Sequence, residues 1–599
     1  MNNLDQVKRI FDISIYQRDR YDLDTALSHR ARGEWESISS RQYVEHIDRA
    51  ARALVAAGIE KGDRVGIISS NRIEWCVLDQ AITKAGAITV PVYPTLSKED
   101  FQYIFQHSAI RLCFVASKNL YAKADEIRHQ VNTLEGIYVL DPAGDLPTLE
   151  DFLREGDDPA LQETVDRRAA EVSEDDVATL IYTSGTTGKP KGVLLSHKNI
   201  LSNDKICIPR IIEIERKHAL SFLPMSHIYE RTVNYCYQLL GCSVFFAKST
   251  DTIATDALHA RPYIMMVVPR VVERLYAKIS AKGEALQGWR KGLFDWAVRL
   301  GMRYRPYENS LGYRIKLAVA RRLVFDKWRA ALGGDLRIMI SGSASLDARL
   351  CRLFCAAGIV LNEGYGLTET SPIVSTNVYP NRGLRIGSIG RPLENLDVRI
   401  GEDGEILVKG PSVMLGYYKE PELTAEAFDP QGYLRTGDIG RIEDGFLYIT
   451  DRKKELFKTS GGKYITPQPI ENALMQSRYI DQAMVVGNGK EHPSVILEPD
   501  FGELALWCEQ RGIPTGDRAA MISDEQVLAL YKGLVHEVNK GLSNWERLRH
   551  FRLVADPWTT EGGELTPTLK IKRRRLTEKY AGLIADIYQE DLLENKPQE

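Results

Sequence analysis

Long apolar runs are missing from this sequence: none approaches the ~18 to 20 residues that span a bilayer. Charges interrupt the first thirty residues, where a secretory leader would need an apolar stretch, so the expected compartment is the cytoplasm. Cysteine is scarce, with eight in 599 residues, and neither a CxxC pair nor an HExxH motif occurs. The closest pair, Cys351 and Cys355, has helical spacing inside the apolar stretch "ARLCRLFCAAGIVL". That points to reduced, buried thiols and away from disulfides or a structural metal site. Charge of one sign is also lacking: 78 Lys and Arg against 81 Asp and Glu leave -3, which gives no overall pull toward nucleic acid. The phosphate-binding GxxxxGK[ST] pattern is absent as well. Gly188 and Lys189 are followed by Pro190 and Lys191, so no Ser or Thr fills the position that would ligate magnesium.

What is present reads as an ordinary soluble composition, 44% apolar and 27% charged, in a chain too long for a single core. From 40 to 115, amphipathic stretches such as "RQYVEHIDRAARALVAAGI" alternate with short apolar runs such as "DRVGIIS", and the alternation returns at "IRLCFVAS", "ATLIYTS", "GCSVFFA", "YIMMVVP", "LRIMISGSA" and "GIVLNEGYG". Strands separated by helices imply parallel sheets covered by helices, an α/β architecture. Between 385 and 450 the rhythm changes to short strands with Gly, Pro and Asp turns, a small antiparallel β region. Beyond a charged boundary an α+β pattern resumes. The expected organisation is a large N-terminal domain, 1–453, and a small C-terminal domain, 454–599, joined by a segment that suits either a hinge or a plain surface linker.

Residues 271–330 form a basic insertion, with fourteen Lys and Arg against five acids, a local net of +9, and Trp289, Trp296 and Trp328 among them. Basic helices interleaved with aromatics fit an anionic membrane surface. Solvated helix faces over a core fit the same residues equally well.

The chemistry of an anion loop is concentrated at "IYTSGTTGKPKGVLLSHKN" (181–199). Hydroxyls of Thr183, Ser184, Thr186 and Thr187 can donate to phosphate oxygens, Gly185 and Gly188 let backbone amides approach, and Lys189 and Lys191 supply charge. The loop reads as a clamp for the β and γ phosphates of ATP. Downstream follow "LPMSHIYER", "LNEGYGLTET", "YLRTGD", "DRKKELFKTSGGKYITPQPIE" and "GELTPTLKIKRRR". With these motifs in order over roughly 180–575, the chain resembles the adenylate-forming superfamily. "VVPRVVERLY", the basic insertion and "KWRAALGGDLRIMISGSASL" make it most similar to bacterial long-chain fatty acyl-CoA synthetases.

The resemblance implies two half-reactions. A carboxylate and MgATP give acyl-adenylate and pyrophosphate; the CoA thiol then displaces AMP. Neither needs a protein nucleophile, so positioning and charge neutralisation carry the rate. On this resemblance Glu369 is the magnesium ligand, with Thr183 in the clamp as a second, because a carboxylate beside triphosphate needs a bridging cation. Thr368 contacts the α-phosphate, Tyr365 offers adenine a flat face between Gly364 and Gly366, and Gly342, Ser343 and Ala344 form the opposite wall. Asp438 takes the ribose hydroxyls and Arg452 lies near ribose and phosphate. Lys570 is the mobile catalytic lysine, although Leu569 stands where the family usually has Gly, and Lys572 is a competing register. Lys454 is the pivot of a rotating C-terminal domain, and Gly461 and Gly462 shape the pantetheine tunnel. His227, with Arg231 one turn later, sits near the acyl carboxylate.

Chain length depends on tunnel depth, set by side chains far apart in sequence; each buried methylene offers about 0.8 kcal/mol. Medium-chain or aryl acids, a fatty acyl-AMP ligase that hands its adenylate to a carrier protein, and a non-catalytic lipid-binding protein are the competing readings.

Overall fold

The computed structural model describes residues 4–31, 33–183, 190–210, 217–379, 382–453, 456–566 and 570–594. The chain divides into two compact units, Met1–Thr436 with Arg441–Tyr448, and Gly437–Gly440 with Ile449–Glu599. The division runs through two long paired strands, Leu434–Glu443 and Phe446–Arg452.

The first unit is built on two large sheets. One has nine strands in the order Arg391–Pro392, Ile373–Thr376, Val360–Gly366, Ile338–Ser341, Ile264–Val267, His218–Ser221, Ser243–Phe246, Leu27–Ala31, Glu34–Ile38. Its six central strands are parallel and its edges antiparallel. The other has seven, in the order Gly416–Tyr417, Lys191–Ser196, Val177–Thr183, Ile88–Pro91, Arg64–Ile68, Ile110–Val115, Gly136–Val139. Its parallel part runs from Val177–Thr183 to Gly136–Val139, and Val177–Thr183 turns back on Lys191–Ser196 as a hairpin. The α/β reading therefore holds, with antiparallel margins that the sequence rhythm did not separate.

Two helices in this unit, Ile73–Lys84 and Ile228–Leu239, are buried along their whole length. A helix apolar on every side belongs inside, not on a surface. Both also carry ionisable side chains, and two of these pair across the helices. Arg231 of one meets Asp79 of the other, with Nε to Oδ2 at 3.2 Å. The same Nε–H is shared with the Tyr235 hydroxyl at 2.8 Å, Nη1 donates to Thr179 Oγ1 at 2.6 Å, and Thr89 donates to Asp79 at 2.9 Å. Strands of the seven-stranded sheet and both helices thus share one closed polar cluster. All eight cysteines are buried and free, as the spacing of Cys351 and Cys355 suggested.

The basic insertion folds as helices Pro269–Glu284, Gly288–Gly301 and Leu311–Ala320, the last continuing through a π turn, Arg321–Phe325, into Asp326–Ala330. Trp328 is buried against Phe325 and Phe354, Trp296 packs on the core margin, and Trp289 is exposed. Of the three tryptophans, two therefore serve packing. No helix among the described residues is long and apolar enough to cross a membrane.

The second unit centres on strands Ile480–Val486, Ser494–Pro499 and Phe551–Leu553. Ala483, Val485, Val495 and Leu497 face helices Pro467–Leu474, Phe501–Glu509 and Glu525–Asn539, whereas Met484, Val486 and Ile496 face Trp558 and helix Arg573–Lys579. Period-two side chains that are apolar on both faces are what a doubly covered sheet requires.

Candidate nucleotide and acyl site

Within the first unit the candidate residues collect at the carboxyl ends of parallel strands, where open α/β sheets bind ligands. Ser341 and Glu363 are register partners, so Gly342, Ser343 and Ala344, just past one strand, lie beside Gly364 and Tyr365 on the next. The Gly342 N–H donates to Val267 O at 3.2 Å, and the Tyr229 hydroxyl donates to Ile340 O at 2.9 Å. His227 caps helix Ile228–Leu239: its Nδ1 accepts the Tyr229 N–H at 3.1 Å, which leaves the ring proton on Nε2.

Thr368 and Glu369 sit in a 3-10 turn, Thr368–Thr370, directly after strand Val360–Gly366. The turn is tight: a Cβ on Gly366 would stand 1.7 Å from Pro372 O, so only glycine fits. The Glu369 O accepts the Met414 N–H at 2.9 Å, and its carboxylate accepts the Tyr417 hydroxyl at 2.9 Å. Tyr417 in turn pairs with Val193 on strand Lys191–Ser196, the second arm of the hairpin whose first arm ends at Thr183. Lys191 Nζ lies 5.1 Å from the centre of the Tyr417 ring, a cation over its π face. Burial, then the Glu369 charge, push the Tyr417 phenol far above its usual range, so it stays a donor. One hairpin thus gathers Thr183, Lys191, Tyr417 and Glu369. Its connecting loop, with Ser184, Gly185, Thr186, Thr187, Gly188 and Lys189, lies outside the described residues.

Two buried carboxyls were not singled out from sequence. Glu230 accepts from Ser221 Oγ at 2.6 Å, and burial pushes its pKa up to about 8. Glu363 accepts the Leu346 N–H at 3.2 Å, and burial pushes it up to about 7. Tyr417 was missed as well; the signal available was "GYYKEP", two tyrosines beside a glycine at a sheet margin. Arg231, one turn after His227, is fully buried and committed to Asp79, Tyr235 and Thr179, and so it belongs to the core.

The second unit brings Asp438 and Arg452 together, Nε to Oδ1 at 3.1 Å, with the carboxylate side chain 4% and the arginine side chain 43% exposed. Gly461 and Gly462 form the turn between strands Phe457–Lys458 and Tyr464–Ile465, with the Gly462 N–H donating to Thr459 O at 2.9 Å and Gly462 at φ +80°, a conformation glycine adopts without strain. Lys570 is tied to Thr566: its N–H donates to Thr566 Oγ1 at 3.0 Å, and its carbonyl accepts the Thr566 N–H at 2.7 Å. Lys572 is the N-cap of helix Arg573–Lys579, which Arg573 anchors to Glu471 through bonds of 2.7 and 2.9 Å. Lys454 lies outside the described residues.

A hairpin tied to a carboxylate at the carboxyl ends of parallel strands places these residues where open α/β sheets bind ligands. Family profiles narrow this: one described as AMP-binding enzyme matches residues 17–418, and one described as AMP-binding enzyme C-terminal domain matches 455–592. The chain belongs to the AMP-binding enzyme family. It is similar to the long-chain-fatty-acid–CoA ligase FadD15 of Mycobacterium bovis, 35% identical over 96% of both chains. It is also similar to the peroxisomal long chain acyl-CoA synthetase 6 of Arabidopsis thaliana, 32% identical over 90% of this chain and 79% of that one. Among solved structures it resembles the A domain of a carboxylic acid reductase from Segniliparus rugosus in complex with AMP, with a TM-score of 0.75 at 21% identity over 97% of this chain and 94% of the other.

Proposed function

We propose that this chain is a long-chain-fatty-acid–CoA ligase that joins a fatty acid to AMP at the expense of ATP and then transfers the acyl group to CoA. The observation that carries this reading is the gathering of Tyr417 and Glu369 against the hairpin that bears Thr183 and Lys191, in a chain matched over 96% of its length by a relative named as such a ligase.

The fatty carboxylate attacks the α-phosphorus of ATP, pyrophosphate leaves, and the CoA thiolate displaces AMP. Thr183 and the loop after it hold the β and γ phosphates, with Lys191 adding charge. The donor set fits Mg2+, which takes one or two carboxylates plus substrate phosphates and keeps several waters; Glu369, fixed by Tyr417, and Thr183 would hold it. When bound, Mg2+ neutralises charge on the triphosphate. Thr368 contacts the α-phosphate. Tyr365 and the Gly342–Ala344 segment sandwich adenine, Asp438 and Arg452 hold the ribose, and His227 Nε2–H donates toward the acyl carboxylate. Domain 454–599 is the moving part, with Lys454 as pivot and Gly461 and Gly462 along the pantetheine path. No side chain bonds covalently to the substrate, so the rate comes from alignment and electrostatics. The enzyme works in the cytoplasm.

Lys570→Ala tests the assignment of the lysine. It should lower acyl-adenylate formation by on the order of 10³ while thioesterification of supplied acyl-adenylate stays within a few-fold of normal. The opposite pattern, with Lys572→Ala as the damaging change, would move the register by two residues.

A further inference from the structure

The insertion helices leave an apolar row that the fold does not cover. Leu311, Ile315, Val319 and Leu323 are 73%, 60%, 45% and 45% exposed, and their spacing of four stacks them along one face from helix Leu311–Ala320 into the π turn. The other face of the same segment sends Leu317, Ala320, Val324 and Phe325 into the core. A helix ending at a water interface has no use for apolar residues on both sides.

Charge around the row is one-sided. Residues 311–325 contain Arg314, Lys316, Arg321 and Arg322 and no Asp or Glu. Arg321 turns inward, donating to Ala356 O at 2.7 Å, whereas Arg314, Lys316 and Arg322 are exposed beside the row. Helix Gly288–Gly301 is bound to this one through the Tyr313 hydroxyl, which donates to Leu300 O at 2.8 Å; its first turn presents Trp289, 73% exposed, with the Arg290 guanidinium 5.6 Å from the ring.

We infer that this face docks on an anionic lipid bilayer, with the apolar row entering the headgroup boundary and Arg314, Lys316 and Arg322 meeting lipid phosphates. An apolar patch alone would serve a protein partner equally. A margin of long, flexible cations, with no acid between 311 and 325 and with flanking Asp326 paired to Arg329, can lay its stems along the apolar row and is complementary to a sheet of phosphates. The inference depends on this surface and on none of the catalytic assignments, and it gives an enzyme for long acyl chains a place where they accumulate.

The test uses the full chain and sedimentation with large unilamellar vesicles of phosphatidylcholine, with and without one-quarter phosphatidylglycerol, at low and high salt. Binding should require the anionic lipid and fall steeply as salt rises. Arg314→Gln and Arg322→Gln should each weaken the partition coefficient about fivefold, and Ile315→Glu with Val319→Glu should remove binding at any salt. Turnover of detergent-dispersed palmitate by these variants should match the parent, which shows that they are folded. Absent or salt-insensitive binding, equal binding to neutral vesicles, or Gln variants that bind like the parent would overturn the inference. So would lipid-free self-association of the parent that Ile315→Glu abolishes, because the face would then be a protein interface.

Discussion

Two arginine–carboxylate pairs in this protein look alike in outline and differ in consequence. Arg231 and Asp79 are 0% and 1% exposed, and the guanidinium's hydrogen bonds go to fixed protein oxygens. Arg452 and Asp438 are 43% and 4% exposed, so one partner stays in water while the other is held. In a low-dielectric core the first pair is justified only by complete satisfaction, and it has no capacity left for a ligand. The second leaves its arginine partly in water, as the proposed ribose contact requires. Burial of the pair, not its chemistry, separates these two arginines: one is sealed in the core and the other reaches water.

The largest effect that would test this contrast is at Arg231. Arg231→Ala strands Asp79 in the core and should cost about 3 to 5 kcal/mol of unfolding free energy, read by chemical denaturation, whereas Arg231→Met with Asp79→Leu should recover most of it. A small cost for the single change would mean that water reaches the cluster. Asp438→Ala should behave in the opposite way. The Arg452 it leaves behind is solvated, so the melting temperature should hardly move, while KM for ATP should rise about ten- to a hundredfold from the lost charged hydrogen bonds. Cooperative destabilisation without a KM change would make the pair structural.

A smaller effect concerns Glu230, a buried carboxyl with no cation partner among the described residues. Its folded pKa, about 8, lies above the usual 4.5 because of burial. Between those values the native state holds one more proton than the unfolded chain, so its contribution to stability falls as pH rises through that window and is level outside it. Glu230→Gln should abolish this, and the difference in unfolding free energy between parent and variant should change by on the order of 1 kcal/mol per pH unit. Parallel profiles would show that Glu230 is ionised in the fold.

The sequence was most legible where one local rule decided the outcome. Period-two and period-3.6 patterns marked the strands and helices that build both sheets. It was least legible where the deciding partner is remote. "HIYER" gave no sign that Arg231 is a core residue, because its role depends on Asp79, 152 residues away in sequence. Tyr417 is 48 residues from the Glu369 it orients. Among the insertion's tryptophans, composition treated Trp289 and Trp328 as equals, yet Trp328 shares a helix face with Val324 and is buried, while Trp289 begins a helix on its exposed side. Pairing across folded elements is a property of topology, which local periodicity does not encode.

The most direct measurement follows the nucleotide. Purified protein with palmitate, Mg2+, ATP and CoA should form AMP and pyrophosphate in step with palmitoyl-CoA, and without CoA should stop after acyl-adenylate. Release of ADP, or nucleotide left intact, would contradict an adenylate-forming ligase, and AMP release without thioester in the presence of CoA would make the chain an acyl-AMP ligase instead.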